Sequence, residues 1–223
     1  ARIAGLLDNQ GTGVLSAKGV MDVQAGGLDN RGGLLSGKDL LTLNTVSLDN
    51  RGGKVSADKD MQLNVSQLNN QNNGLLSGQK AIRYLGGTLS NQGGLLSAVG
   101  PVRLDATTVE NASGRISSKG DLTANVTHLN QQKGELVAQG TMSLTGDTLD
   151  NSGGGLVGST QALTLAIDDI NNQAGEISSA ADVNLAGSGL NNSSNGKVLA
   201  GTHLGLKVAH VINQSAGLLF GKG

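Results

Sequence analysis

The chain has 223 residues, 36 of them glycine, with one tyrosine, one phenylalanine, no tryptophan and no cysteine. It therefore lacks the aromatic residues that usually fill a globular core, and it cannot form disulfides or thiolate metal sites. Its 16 basic and 17 acidic residues give a net charge of −1 without a long basic block, and no apolar run approaches the length of a membrane-spanning helix, so we expect neither a nucleic-acid partner nor a membrane-spanning segment.

The dominant signal is an asparagine that recurs every 20 or 21 residues. We call these residues the anchors, and the unit around each anchor a coil. A unit of this size is too short to bury a core by itself, so it must stack on its neighbours. The anchors, with one glutamine among them, are Asn9, Asn30, Asn50, Asn70, Asn91, Asn111, Gln131, Asn151, Asn172, Asn192 and Asn213.

The first predicted strand of each coil precedes the anchor. In the coil of Asn50, Leu41 and Leu43 are separated by a polar residue, and Leu48 lies two places before the anchor. Alternation with a period of two indicates a strand with one buried face. The same positions are aliphatic in nearly every coil, which predicts one strand per coil at this phase.

A corner is predicted at the anchor itself, where the chain reads Asp49-Asn50-Arg51-Gly52-Gly53. Asparagine and glycine are the residues that adopt positive φ most easily, which indicates a turn. Where a coil has 21 residues, the extra one falls at or just after this corner, as in Gln71-Asn72-Asn73-Gly74. The strands on either side can then stay in register.

A second predicted strand follows the corner, with a large inward residue such as Val55 and a small one such as Ala57 two places later. In the register set by the anchors, the residues just before the large one form a row across the coils. Opposite charges become neighbours in this row, which favours the register. The row is Val14, Leu34, Lys54, Leu75, Leu95, Arg115, Glu135, Leu156, Glu176, Lys197 and Leu218.

These patterns predict an all-β chain folded as a parallel β-helix (β-solenoid) of about eleven coils of 20–21 residues, with two or three short strands in each. At a spacing of about 4.8 Å between coils, the rod would be about 50 Å long. We expect residues 1–223 to form a single β-helix repeat segment.

The motif Leu-Asp-Asn-x-Gly-Gly-x-Leu-Ser-Ala/Gly, seen at Leu28–Gly37 and Leu48–Ala57, resembles the repeats of filamentous haemagglutinin. That family comprises the large exoproteins of two-partner secretion, which include adhesins and contact-dependent growth-inhibition proteins. The resemblance implies a right-handed β-helix, export through an outer-membrane transporter and a place on the bacterial cell surface. It also implies that this segment is a fragment of a longer exoprotein, with adhesive or toxic modules elsewhere. The chain departs from the motif at Gln131 and at Val211-Ile212-Asn213.

The anchors are also predicted to form a ladder, because stacking places identical amides about 4.8 Å apart, where they can donate and accept along the axis. The alternative is that asparagine serves only the turn conformation. The residues predicted to form this corner ladder are Asn9, Asn30, Asn50, Asn70, Asn91, Asn111, Asn151, Asn172, Asn192 and Asn213.

Little in the sequence points to chemistry. Three histidines do not supply the converging ligands of a zinc site, and stacked aspartates such as Asp29 and Asp49 have arginine partners close by. A polysaccharide-acting β-helix enzyme needs convergent carboxylates, which Asp168 and Asp169 alone do not supply. We expect no catalytic, cofactor or metal site.

Three functions remain, in descending order. The first is a structural stalk segment of a secreted exoprotein that extends an adhesive or toxin-delivery module from the cell. The second is direct binding of a receptor or glycan through one facet, for which Leu75 and Leu95 form a candidate exposed apolar strip. Those leucines could equally be half-buried at the edge of a facet. The third is the enzyme.

Overall fold

The computed structural model describes all residues 1–223 and contains strands and turns; it has no helix that is long and apolar enough to cross a membrane. Each coil contributes one long and one short strand. The long strands are β1 Arg2–Asp8, β3 Met21–Asp29, β5 Leu41–Asp49, β7 Met61–Asn69, β9 Ile82–Ser90, β11 Val102–Glu110, β13 Leu122–Asn130, β15 Met142–Asp150, β17 Leu163–Asn171, β19 Val183–Asn191 and β21 Leu204–Ile212. The short strands are β2 Val14–Ala17, β4 Leu34–Gly37, β6 Lys54–Ala57, β8 Leu75–Gly78, β10 Leu95–Ala98, β12 Arg115–Ser118, β14 Glu135–Ala138, β16 Leu156–Ser159, β18 Glu176–Ser179, β20 Lys197–Ala200 and β22 Leu218–Gly221.

The strands form two parallel sheets of eleven strands each, one from the long strands and one from the short strands. Each strand pairs with its equivalent in the next coil, so Leu75 faces Leu95, which faces Arg115, which faces Glu135. The predicted parallel β-helix of about eleven coils is confirmed, and so is the register of the predicted row.

The long strand contains a bend that the alternation alone did not predict. In the coil of Asn172, Leu163, Leu165 and Ile167 point inward, and so does Ile170, whereas the two residues between Ile167 and Ile170 are both exposed. Two successive outward residues change the phase of the alternation and turn the strand. Each coil therefore has three facets built from two strands.

The core is a continuous column of 43 buried residues along the axis. In the coil of Asn50, Leu41, Leu43, Leu48 and Val55 are at most 1% exposed. Burying an aliphatic side chain of this kind stabilises a fold by about 1.5–3 kcal/mol, but only because the coils above and below cover it. The stack, and not the single coil, is therefore the folding unit.

The corner is built differently from the prediction. No anchor has a positive φ; the left-handed residue lies two places later, at Gly32 (φ 66°) or even at Lys133 (φ 56°). The recurrent second glycine of the motif is required for a different reason. A Cβ at Gly94 would lie 2.0 Å from the carbonyl oxygen of Asn70 in the coil before. That glycine thus permits the close approach of successive coils.

The charged pairs of the outward row behave differently from each other. Arg115 forms an ion pair with Glu135 in the next coil, as the register predicted. Glu176 and Lys197 also face each other, but Glu176 instead accepts a hydrogen bond from the Ser178 hydroxyl at 3.0 Å. Exposed pairs of either kind contribute little to stability.

Candidate functional site

The anchor side chains form a line of hydrogen bonds inside the corner. In nine of the ten steps, the amide nitrogen of one anchor donates to the side-chain oxygen of the next over 2.6–2.8 Å. All anchors from Asn30 to Asn192 are 0% exposed, whereas Asn213 in the last coil is exposed. The structure thus brings the predicted residues together, and Gln131 takes a place in the ladder that the sequence analysis did not assign to it.

Asn91 shows how one anchor is satisfied. Its Oδ1 accepts from Asn70 at 2.7 Å, and its Nδ2 donates to Asn111 at 2.6 Å. The same Nδ2 also contacts the carbonyl oxygens of Gly94 at 3.3 Å and Arg115 at 3.2 Å. Because its φ is not positive, the turn conformation does not explain the asparagine. A residue is needed that donates and accepts where water cannot reach.

The ladder has one missing step, between Gln131 and Asn151. Gln131 accepts from Asn111 at 2.8 Å, but it donates nothing to Asn151. The Oδ1 of Asn151 is buried and has no hydrogen-bond partner, although its Nδ2 donates onward to Asn172 at 2.7 Å. Below and above this step the ladder is continuous.

Two of the aspartates just before the anchors, Asp29 and Asp49, are paired with arginines. Arg31 contacts Asp29, and Arg51 contacts Asp49, each through an oxygen–nitrogen distance of 2.6 Å. Each carboxylate also accepts from the backbone N–H of its arginine, at 3.1 and 3.2 Å. The arginine hydrogen bonds hold the pKa of both aspartates below the ordinary value. These carboxylates serve the corner and are not a free cation site.

The candidate apolar strip is short. Leu75 is half-buried and Leu95 is 36% exposed, and the strip is bounded in the same row by Lys54 and Arg115. A shallow groove of about 690 Å³ continues from Leu95 across the outer face of the short-strand sheet as far as Glu176. The structure thus places the two leucines side by side, and Leu95 borders one end of a groove whose lining residues are mostly polar.

The remaining titratable groups do not converge. Asp168 and Asp169 are the two exposed residues at the bend of their strand. The Thr202 hydroxyl donates a hydrogen bond to the Asp182 carboxylate, and His203 contacts the same carboxylate at 3.1 Å; these bonds lower the pKa of Asp182 to about 2. No group of three or more histidine, aspartate or glutamate side chains is arranged to hold a metal ion.

Comparison with protein-family models identifies the family of these stacked coils. The family model described as haemagglutinin repeat matches residues 1–64, 44–122, 97–166 and 148–219. The chain belongs to the haemagglutinin repeat family. Comparisons with curated proteins and with solved structures give no match. The resemblance noted at Leu28–Gly37 is confirmed, and it extends over almost the whole chain.

Haemagglutinin repeats form a structural and adhesive family, and the family together with the β-helix fits a filament segment of a secreted adhesin. Such repeats belong to two-partner secretion exoproteins, which is consistent with a transporter as partner. The grooves on the outer faces of these repeats are shallow, and each is lined by side chains from three to five neighbouring coils.

Proposed function

We propose that this segment is a stalk: it extends an adhesive or toxin-delivery module away from a bacterial cell that exports the parent exoprotein through an outer-membrane two-partner secretion transporter. The observation that carries the proposal is the common register of both sheets over eleven coils, which is interrupted only by a bulge between Ile3 and Leu6 in the first coil. A stack of this kind gains length with each coil and keeps a constant cross-section. The buried polar side chains of the anchors bond to one another at the corner, and polar groups do not converge at a site on the outer surface.

The haemagglutinin repeats bury their aliphatic residues in one axial column, so no large apolar surface remains on the flanks of the central coils. Val99, at 45% exposure, is isolated, and Leu95, at 36%, has only the half-buried Leu75 as an apolar neighbour in its row. Isolated apolar residues are ordinary on a protein surface and do not make an interface. A spacer requires such a surface, because a large exposed apolar patch would make filaments aggregate.

The second candidate is direct adhesion to a receptor or glycan through the short-strand sheet. Its support is the groove that begins at Leu95 and continues past Arg115 and Glu135. The groove is open and contains no aromatic side chain, whereas rigid aromatic groups usually anchor an interface. The stalk is therefore favoured.

A binding experiment separates the two. The purified segment is added to target cells, and saturable binding is measured beside the parent exoprotein with its other modules. For a stalk we expect no saturable binding by the segment alone. Saturable binding that Leu95→Glu abolishes, and that Val20→Glu outside the groove leaves intact, would establish the adhesive facet instead; Val20 is 60% exposed and serves as the matched control.

A further inference from the structure

The missing step of the ladder has a clear local cause. Gln131 Oε1 reaches back to the Asn111 amide at 2.8 Å, and the only acceptor near its own Nε2 is the carbonyl oxygen of Leu156 at 3.5 Å. Glutamine has one methylene more than asparagine, which displaces its amide group. When its oxygen takes the position of an anchor Oδ1, its nitrogen cannot also take the position of an anchor Nδ2. Asn151 Oδ1 is left buried and unpartnered.

The wide corner at Asn151 is not the cause. The corners of Asn70 and Asn192 also carry an extra residue, with two successive positive φ values, as at Asn72 and Asn73. Yet Asn70 and Asn192 each accept a 2.7 Å bond from the asparagine of the preceding coil. The bond is lost only where the preceding anchor is glutamine.

We infer that the rod consists of two amide-bonded units, which meet at a seam between the coils of Gln131 and Asn151, and that among the internal coils the rod opens first at this seam. The stability of a stacked-coil protein is a sum of terms between neighbours, so a level with a buried orphan acceptor is the weakest internal level. The seam is a property of the stack and is present whether or not the stack serves as a stalk.

The backbone stays continuous across the seam, which makes it a weak level and not a gap. Gln131 N–H donates to Asp150 at 2.7 Å, and Leu156 N–H donates to Gly134 at 2.9 Å, as at other levels. Gln132 adds a bond to the Asp150 carboxylate at 2.7 Å, but this bond is exposed to solvent. A solvated bond contributes far less than a buried one and does not replace the missing step.

Amide hydrogen exchange followed by mass spectrometry on the full chain tests the seam. In the wild type we expect the backbone amides that donate between β14 and β16 to exchange about tenfold faster than those between β10 and β12. A tenfold difference corresponds to about 1.4 kcal/mol, within the range for one unmade buried hydrogen bond. Uniform exchange at these two levels would overturn the inference.

One substitution is expected to remove the seam, and another to create a second seam. Gln131→Asn restores the step, so exchange between β14 and β16 should slow about tenfold to the rate of the other levels. Asn91→Gln copies the defect, so the next level, between Asn91 and Asn111, should become fast. Gln139→Asn is the matched control, because Gln139 lies in the same coil and is exposed. No slowing in Gln131→Asn, or equal slowing in the control, would overturn the seam.

Discussion

Replacing Asn91 with alanine removes a central member of the amide ladder. Asn70 Nδ2 loses its 2.7 Å acceptor but keeps two carbonyl contacts, at 3.0 and 3.2 Å. Asn111 Oδ1 loses its donor at 2.6 Å and is left buried. An unpartnered buried acceptor costs about 1–3 kcal/mol, and the removed side chain leaves a small void besides. We expect the free energy of unfolding around this corner to fall by about 2–3 kcal/mol.

The matched control is Asn64→Ala. Asn64 Nδ2 donates to Asn44 Oδ1 at 2.7 Å, and the two residues are 20 apart in the sequence. The bond therefore nearly matches the bond from Asn91 to Asn111 in length and matches it in sequence separation. It differs in lying on the solvent-exposed face of the long-strand sheet. Surface substitutions of this kind change stability by about 0.5 kcal/mol or less. The comparison therefore isolates the effect of burial.

Local free energies are read from amide exchange, because stacked coils need not unfold as a single two-state unit. Urea unfolding followed by far-UV circular dichroism gives the global value beside it. If Asn91→Ala and Asn64→Ala cost the same, within about 0.5 kcal/mol, burial does not strengthen the ladder and the argument from unmade bonds is wrong.

Three further predictions concern other parts of the stack. Gly94→Ala should destabilise the rod by about 3 kcal/mol or more, because its Cβ would lie 2.0 Å from a backbone oxygen, whereas Gly19→Ala, with no atom within 4 Å, should be nearly neutral in urea unfolding. Asp182 should titrate by NMR with a pKa of about 2, so its stabilising contribution is complete above its ordinary pKa and is lost as pH falls through about 2; Thr202→Val should shift that loss to higher pH. Burial raises the pKa of Tyr84, the only tyrosine, so the wild type should lose stability as pH rises above about 10, and Tyr84→Phe should remove that part of the loss.

The period of the anchors predicted most of the fold because it is a direct consequence of stacking. Residues 20 or 21 apart occupy the same place in successive coils, so the spacing of Asn50 and Asn70 determines which residues pair. Alternation around Leu41 and Leu43 indicated the inward face of the long strand. The row of Leu75 and Leu95 followed from the same counting, and the sheet register confirmed it.

Two features could not be predicted from the spacing of the residues. The bend at Asp168 and Asp169 is visible as a change of phase between Ile167 and Ile170, but a phase change alone does not distinguish a bend from a loop. The left-handed residue lies two places after the anchor, where serine, lysine or alanine is accepted as well as glycine or asparagine, because the neighbouring coils hold the turn. Residue preference for positive φ was therefore a poor guide to its position.

The seam at Gln131 illustrates a third limit. Glutamine and asparagine carry the same amide, and the departure from the motif at Gln131 was visible in the sequence. Whether the longer side chain preserves or breaks the ladder depends on how far its amide group is displaced, and the displacement is about the length of one carbon–carbon bond. In the structure, Gln131 still accepts a hydrogen bond from Asn111 but donates none to Asn151.

Small-angle X-ray scattering tests directly whether the chain is a rod whose length is set by the number of coils. Deleting Asp49 to Leu89 removes two coils in phase and joins Leu48 to Ser90 at the same point of the corner. We predict that the variant stays folded, keeps the cross-sectional radius of the wild type and is shorter by about 10 Å, at about 4.8 Å per coil. An unfolded variant, or a compact particle whose cross-section changes with the deletion, would contradict the rod.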